Sequence, residues 1–166
     1  MKKKIIVSTI ILFILSFLFH SAFKYIKIPI FPVNESIWEH GKMIMLSYLV
    51  LTLIDKLIYK ESNIFSNFIS FIICMILDFV IFTPIFLYIL KTHENMFITL
   101  LIYFICIIIS LIIKEKYLKR FESKKNNYYS LFGYILITIV FLVLTYYPIE
   151  LPIFYDYNKH IYGIKR

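Results

Sequence analysis

Apolar residues run along this chain in stretches longer than a water-soluble core uses, near residues 5–23, 43–59, 64–90, 94–113 and 129–147. Runs of about 17–27 residues cross the hydrocarbon core of a bilayer. Backbone N–H and C=O groups in lipid must bond within their own segment, so runs this long are helices. Polar residues gather on one side of each run at the helical period of about 100° per residue. They are Thr9, Ser16 and His20 on the first run, and Asn67, Ser70, Cys74 and Asp78 on the third. On the fourth they are Asn95, Thr99, Tyr103, Cys106 and Ser110, and on the fifth Tyr134, Thr138 and Thr145. Hydroxyls and amides in lipid face other helices, where partners exist. The pattern predicts an all-α membrane protein: a single transmembrane domain over 1–166, built as a bundle of about five transmembrane helices with a moderately polar interior. The second run is the least pure, with Asp55 and Lys56 at one end, and Asp55 reads as an ordinary interfacial charge.

Composition supports the same class, with 61% hydrophobic and 17% charged residues. The charge of +8 sharpens the orientation. With the N-terminus inside, eleven of the 18 Lys and Arg fall on the inner side, six of them between Lys114 and Lys125. That bias fits five spans with the N-terminus in and the C-terminus out. Basic residues placed this way face anionic lipid, so the expected partner is the lipid bilayer of the cell (cytoplasmic) membrane and not nucleic acid. A homo-oligomer or a membrane-protein partner is a further expectation. The first residues, Met1 to Lys4 before an apolar run, also have the layout of a signal peptide cleaved at Ala22. His20 occupies the position where a small residue is wanted, which favours a retained first span. Cys74 and Cys106 lie in spans without CxxC or Cys/His spacing, excluding zinc-finger and thioredoxin chemistry and leaving a packing role. A bias toward Ile, Phe, Tyr, Lys and Asn, with a single alanine, points to a low-GC bacterial source.

Candidate chemistry concentrates in Asn34-Glu35-Ser36-Ile37-Trp38-Glu39-His40. The preceding segment, 27–33, carries Pro29 and Pro32 and four apolar residues, and reads as a re-entrant or interfacial loop. Asn34 or Ser36 then caps the second helix, and Ser36 with Glu39 matches a capping box. Trp38 suits the outer aromatic belt, and Gly41 admits a close neighbouring helix. With Asn34 as cap, Glu35 and Glu39 share one helix face beside His40, and their repulsion calls for a cation, a proton or a basic partner. Carboxylate and imidazole together suit a divalent metal. His20, His40, His93 and His160 all fall on the outer side. Asp78, near the middle of the third span, is the costliest residue to place in lipid, and Pro84 beyond it predicts a kink. The proline- and aromatic-rich tail from Tyr147 is expected to fold over the outer mouth, bringing Asp156 toward the polar groups.

Two segments carry a resemblance: residues 31–40, Phe-Pro-Val-Asn-Glu-Ser-Ile-Trp-Glu-His, and the tail Pro148-x-x-Leu151-Pro152-x-Phe154-x-Asp156 with its terminal Tyr162-Gly163-Ile164. The chain resembles an uncharacterised family of small bacterial multi-pass membrane proteins. The resemblance implies about five helices and a membrane location, and supplies no activity. From the residues, the leading expectation is an outer polar site of Glu35, Glu39, His40 and His93, supported by Asp78, which binds a divalent metal or a polar lipid or peptide head group. The alternatives are a membrane-embedded metal-dependent hydrolase with Glu35 or Glu39 as general base, a small ion- or proton-coupled transporter using Asp78, and an accessory subunit.

Overall fold

The computed structural model describes residues 2–82 and 96–164, and for 82 and 96–99 the backbone alone. Its helices are α1 (Lys2–Tyr25), α2 (Ile37–Leu57), α3 (Ile64–Ile76), α4 (Met96–Ile113) and α5 (Lys124–Tyr146). Two of them continue as π-helix, α3 through Leu77–Phe82 and α4 through Lys114–Leu118. A short 3-10 turn, Pro152–Phe154, leads into a two-stranded antiparallel hairpin of β1 (Tyr155–Asp156) and β2 (Ile161–Tyr162). The bundle expected from the apolar runs is present, and among the described residues four helices, with α3 taken through Ile81, are long and apolar enough to cross a membrane. At 1.5 Å per residue, the 24 residues of α1 reach about 36 Å.

The reason the second run looked impure is its position. α2 packs against α1 and α3 and also meets α5 and the 3-10 turn of the tail. Its burial is 44% of the most apolar window, against 22% for α1 and α5. Polar residues on α2 therefore face protein: Glu39, Lys42, Ser47 and Asp55 are all buried. The helix starts at Ile37, earlier than the apolar run, because the bundle shelters its polar first turns. α1 and α5 instead present apolar stripes outward, including Ile6, Ile10, Ile14 and Phe17 on one and Phe132, Ile135, Leu136 and Ile139 on the other. The core between the helices is Leu12, Ile44, Met45, Leu51, Phe71, Ile107, Leu111 and Phe141 with the buried Tyr48, Tyr103 and Tyr134.

Gly41 does admit a close neighbour: a Cβ there would lie 2.8 Å from the ring tips of both Phe141 and Phe79. Overfilling a tight core costs about 1–3 kcal/mol, so Gly41→Ala is expected to lower the thermal midpoint of the purified protein while Gly41→Ser lowers it further. A midpoint unchanged by alanine would mean that α2 and α5 separate freely here.

The two ends of the bundle are distinct. Lys4, Asp55, Glu61, Lys114 and Lys119 meet at the N-terminal end. His20, Glu35, His40 and the C-terminal hairpin meet at the other, here the C-terminal end.

Candidate functional site

At the C-terminal end, Ser36 is the N-cap of α2, with Oγ accepting the Glu39 N–H at 3.4 Å. This cap changes the expected pairing of carboxylates. Glu35 lies before the helix, so it does not share a helical face with Glu39. Glu39 does not close the capping box either, because the Ser36 N–H donates to Asn34 Oδ1 at 2.9 Å. Instead, Glu39 turns inward. Its Oε2 pairs with Lys42 Nζ at 2.7 Å and accepts the Val33 N–H at 3.0 Å, and its Oε1 accepts the Thr145 hydroxyl at 2.8 Å. Lys42 also donates to the Pro29 carbonyl at 2.7 Å. The segment with two prolines is thus held against the bundle by a buried ion pair, and Lys42 is a residue that sequence reasoning did not single out.

Glu35 faces the other way. Its Oε2 lies 2.9 Å from His20 Nε2 and 3.6 Å from His40 Nε2. The two imidazoles stack with centroids 5.4 Å apart. One ligand atom from each of His20, Glu35 and His40 lies within 4.8 Å of the others. Exposures of 35%, 36% and 23% leave the group open to an ion from solvent. His20 comes from the end of α1, Glu35 from the loop and His40 from the first turn of α2. The His20 imidazole, then that of His40, outweighs burial and holds the Glu35 carboxyl well below the usual carboxylate range. It is therefore ionised at any physiological pH.

The tail supports this group as expected. Asp156 is buried, and its Oδ2 accepts the Glu35 N–H at 2.9 Å while Oδ1 accepts the N–H groups of Asn158 and Lys159 at 2.9 and 3.0 Å. Asn34 Nδ2 donates to the Gly163 carbonyl at 2.8 Å. Gly163 has φ +56, a left-handed conformation that suits glycine, and this turn lets the Ile164 N–H reach the Thr145 carbonyl at 3.1 Å. Trp38 packs between Phe141 and Phe154, each with ring centroids 4.8 Å away, so it fastens the tail to α5 and α2.

Of the residues expected at the site, the structure brings His40 and Glu35 together, adds His20, and places Glu39 in a separate buried environment. Asp78 opens the π-helical continuation of α3 and interacts electrostatically with His40. His93 and Pro84 lie outside the described residues. His160 is exposed on the hairpin, with Nδ1 3.2 Å from the Tyr155 hydroxyl.

The N-terminal end holds a network that the sequence concealed. Asp55 is fully buried and central to it, which corrects its reading as an ordinary interfacial charge. Its Oδ2 accepts from Lys114 Nζ at 2.8 Å and from the Asn63 and Asn67 amides at 3.0 Å each, and Lys4 Nζ lies 3.3 Å from Oδ1. Glu61 binds Lys4 at 2.6 Å, Lys119 at 2.7 Å and Asn63 at 2.8 Å. Three carboxylates, counting Glu115 at 3.0 Å from Lys119, balance three lysines. The available signal was the match between isolated acids at the ends of the second and third spans and the dense basic run after the fourth.

Four spanning-length apolar helices, with polar groups turned inward and ion pairs at both ends, define a polytopic α-helical membrane protein. The chain belongs to a family of unknown function, DUF6512, whose model matches residues 1–164. Comparisons with curated proteins and with solved structures gave no match.

Proposed function

We propose that this protein is a bacterial cytoplasmic-membrane protein whose outward face binds a divalent transition-metal ion through His20, Glu35 and His40. The observation that carries the reading is the convergence of two imidazole nitrogens and one carboxylate oxygen from three separate segments within 4.8 Å. Zinc bonds of about 2.1 Å at tetrahedral angles put ligand atoms about 3.4 Å apart. The two separations from Glu35, 2.9 and 3.6 Å, bracket that value. Two nitrogens and one oxygen favour zinc, nickel or copper over magnesium or calcium. Three protein ligands also leave a coordination position open. Binding is better supported than hydrolysis, because Glu35 is a ligand and Glu39, the other carboxylate proposed as base, is engaged by Lys42, Val33 and Thr145.

Purified protein incubated with zinc, desalted and assayed for metal is expected to retain a bound ion. A His20→Ala/His40→Ala variant is expected to retain none, and His160→Ala to behave as wild type. Wild-type protein that retains no zinc, nickel or copper would end the metal reading, as would retention equal in the double variant.

A further inference from the structure

The N-terminal end of the bundle holds more cations than its acids can pair. Asp55, Glu61 and Glu115 are taken up by Lys4, Lys114 and Lys119. Glu122 instead accepts the Ser66 N–H and hydroxyl, each at 2.7 Å, in the first turn of α3. Eight basic residues of that end are left exposed, with no ion pair among the described residues. Lys2, Lys3, Lys56 and Lys60 stand at the start of α1 and the end of α2. Lys116, Arg120, Lys124 and Lys125 crowd the turn between α4 and α5.

The second group is interleaved with aromatic rings. Lys116 Nζ lies 5.3 Å from the centre of the Tyr117 ring, the Arg120 guanidinium carbon 4.8 Å from that of Phe121, and Lys125 Nζ 5.9 Å from that of Tyr129. These rings are 45%, 49% and 64% exposed. Their depth follows from α5, whose exposed stripe runs from Tyr129 through Phe132, Leu136, Ile139 and Val143 to Tyr146. At 1.5 Å per residue, the rise from Tyr129 to Tyr146 is about 26 Å, close to the thickness of a bilayer's hydrocarbon core. Tyrosines favour both edges of that core. Lys125, one turn beyond Tyr129, therefore lies at the level of the lipid phosphates. On α4 the exposed stripe of Ile105, Ile109 and Ile112 likewise ends one turn before Lys116.

We propose that the turn between α4 and α5 is a binding site for an anionic phospholipid. Lys116, Arg120, Lys124 and Lys125 meet the phosphodiester of the head group, and the exposed stripes of α4 and α5 meet the acyl chains. A guanidinium donates two parallel hydrogen bonds to phosphate oxygens, and the ammonium groups add point charges. The neighbouring rings hold these cations at the boundary through their negative faces. A zwitterionic head brings its own ammonium, which the four cations repel, so the site discriminates by net charge. Attraction to an anionic surface in general would use all eight exposed cations alike, whereas the aromatic setting marks out four of them. The site shares no residue with the His20–Glu35–His40 group and does not depend on the metal reading.

The test is native mass spectrometry of the full chain in a neutral detergent, with phosphatidylglycerol or phosphatidylcholine of identical chains added. Each basic residue at an anionic surface contributes about a fivefold factor, so wild-type protein is expected to retain phosphatidylglycerol in preference by about tenfold or more. The preference is expected to vanish in Lys116→Gln/Arg120→Gln/Lys124→Gln/Lys125→Gln. It is expected to persist in Lys2→Gln/Lys3→Gln/Lys56→Gln/Lys60→Gln, which removes the same charge. Arg120→Gln/Lys125→Gln serves where the first variant does not purify, and is expected to lose most of the preference. Excess glycerol 3-phosphate, a head without chains, is expected to leave the bound lipid in place. Equal retention of the two lipids by wild type overturns the proposal, as does equal loss in the two fourfold variants or undiminished preference in the double one. Displacement by glycerol 3-phosphate overturns the lipid as ligand.

Discussion

Asp55→Ala is expected to be the most damaging single substitution in the molecule. It leaves the Lys114 ammonium buried without its carboxylate and strands the Asn63 and Asn67 amides as well. Removing one partner of a buried ion pair costs about 3–5 kcal/mol, a large share of the stability of a typical domain. The check is thermal unfolding of detergent-purified protein, read against the double replacement Asp55→Leu/Lys114→Met. Replacing a buried pair by apolar groups of similar volume is often neutral or better, so the double variant is expected to recover much of the loss. A single variant as stable as wild type would show that water reaches this pair. The network also has an acid limit. Burial pushes the Glu61 carboxyl up, but hydrogen bonds from Lys119, Lys4 and Asn63 together outweigh it and lower the pKa from 4.5 to about 2. A depressed pKa gives stability that is complete above the unfolded value and is lost as pH falls through the folded one. The contribution of Glu61 is therefore present above pH 4.5 and fades toward about pH 2.

The apolar runs made the helices legible because lipid demands long, charge-poor segments, and no such demand sets which helix is central. α2 shows the consequence. Its Asp55 made the span look impure, yet Asp55 is buried together with Glu39 and Lys42 on the helix most enclosed by the others. The cap at Ser36 could be read from residue type and spacing, while the fate of Glu39 could not. A carboxylate three residues after a cap has two destinations, and the nearby donors Lys42, Val33 and Thr145 decide between them. Glu35 and His40 were found from their local crowding. His20 was noted for its side of the membrane, but its meeting with Glu35, fifteen positions away, depends on how the loop after α1 returns. The folding of the tail over the C-terminal end followed from its prolines and aromatics. The backbone contact from Glu35 to Asp156 did not, since sequence carries no distance across 121 positions.

The second large effect is expected at Glu39 and Lys42, and it links stability to the candidate site. Both side chains are buried, with exposures of 1% and 0%. Their losses are unequal because their remaining partners differ. Lys42→Met leaves the Glu39 carboxylate with the Val33 N–H and the Thr145 hydroxyl, whereas Glu39→Ala leaves the Lys42 ammonium with the Pro29 carbonyl alone. Glu39→Ala is therefore expected to approach the full cost of an unpaired buried charge, about 3–5 kcal/mol, and Lys42→Met to cost less. The order of the thermal midpoints tests this, and a reversed order would show that the lysine, not the carboxylate, holds the loop. Both variants also release the segment that positions Glu35. Groups that orient metal ligands without touching the ion typically change affinity by about 10–100-fold. Zinc affinity is expected to fall within that range in Lys42→Met at temperatures where the variant remains folded. Unchanged affinity there would mean that Asp156 alone fixes Glu35, through the N–H bond at 2.9 Å. The Asp156→Ala variant separates these two supports, because it removes the tail's hold on Glu35 while leaving the Glu39–Lys42 pair in place.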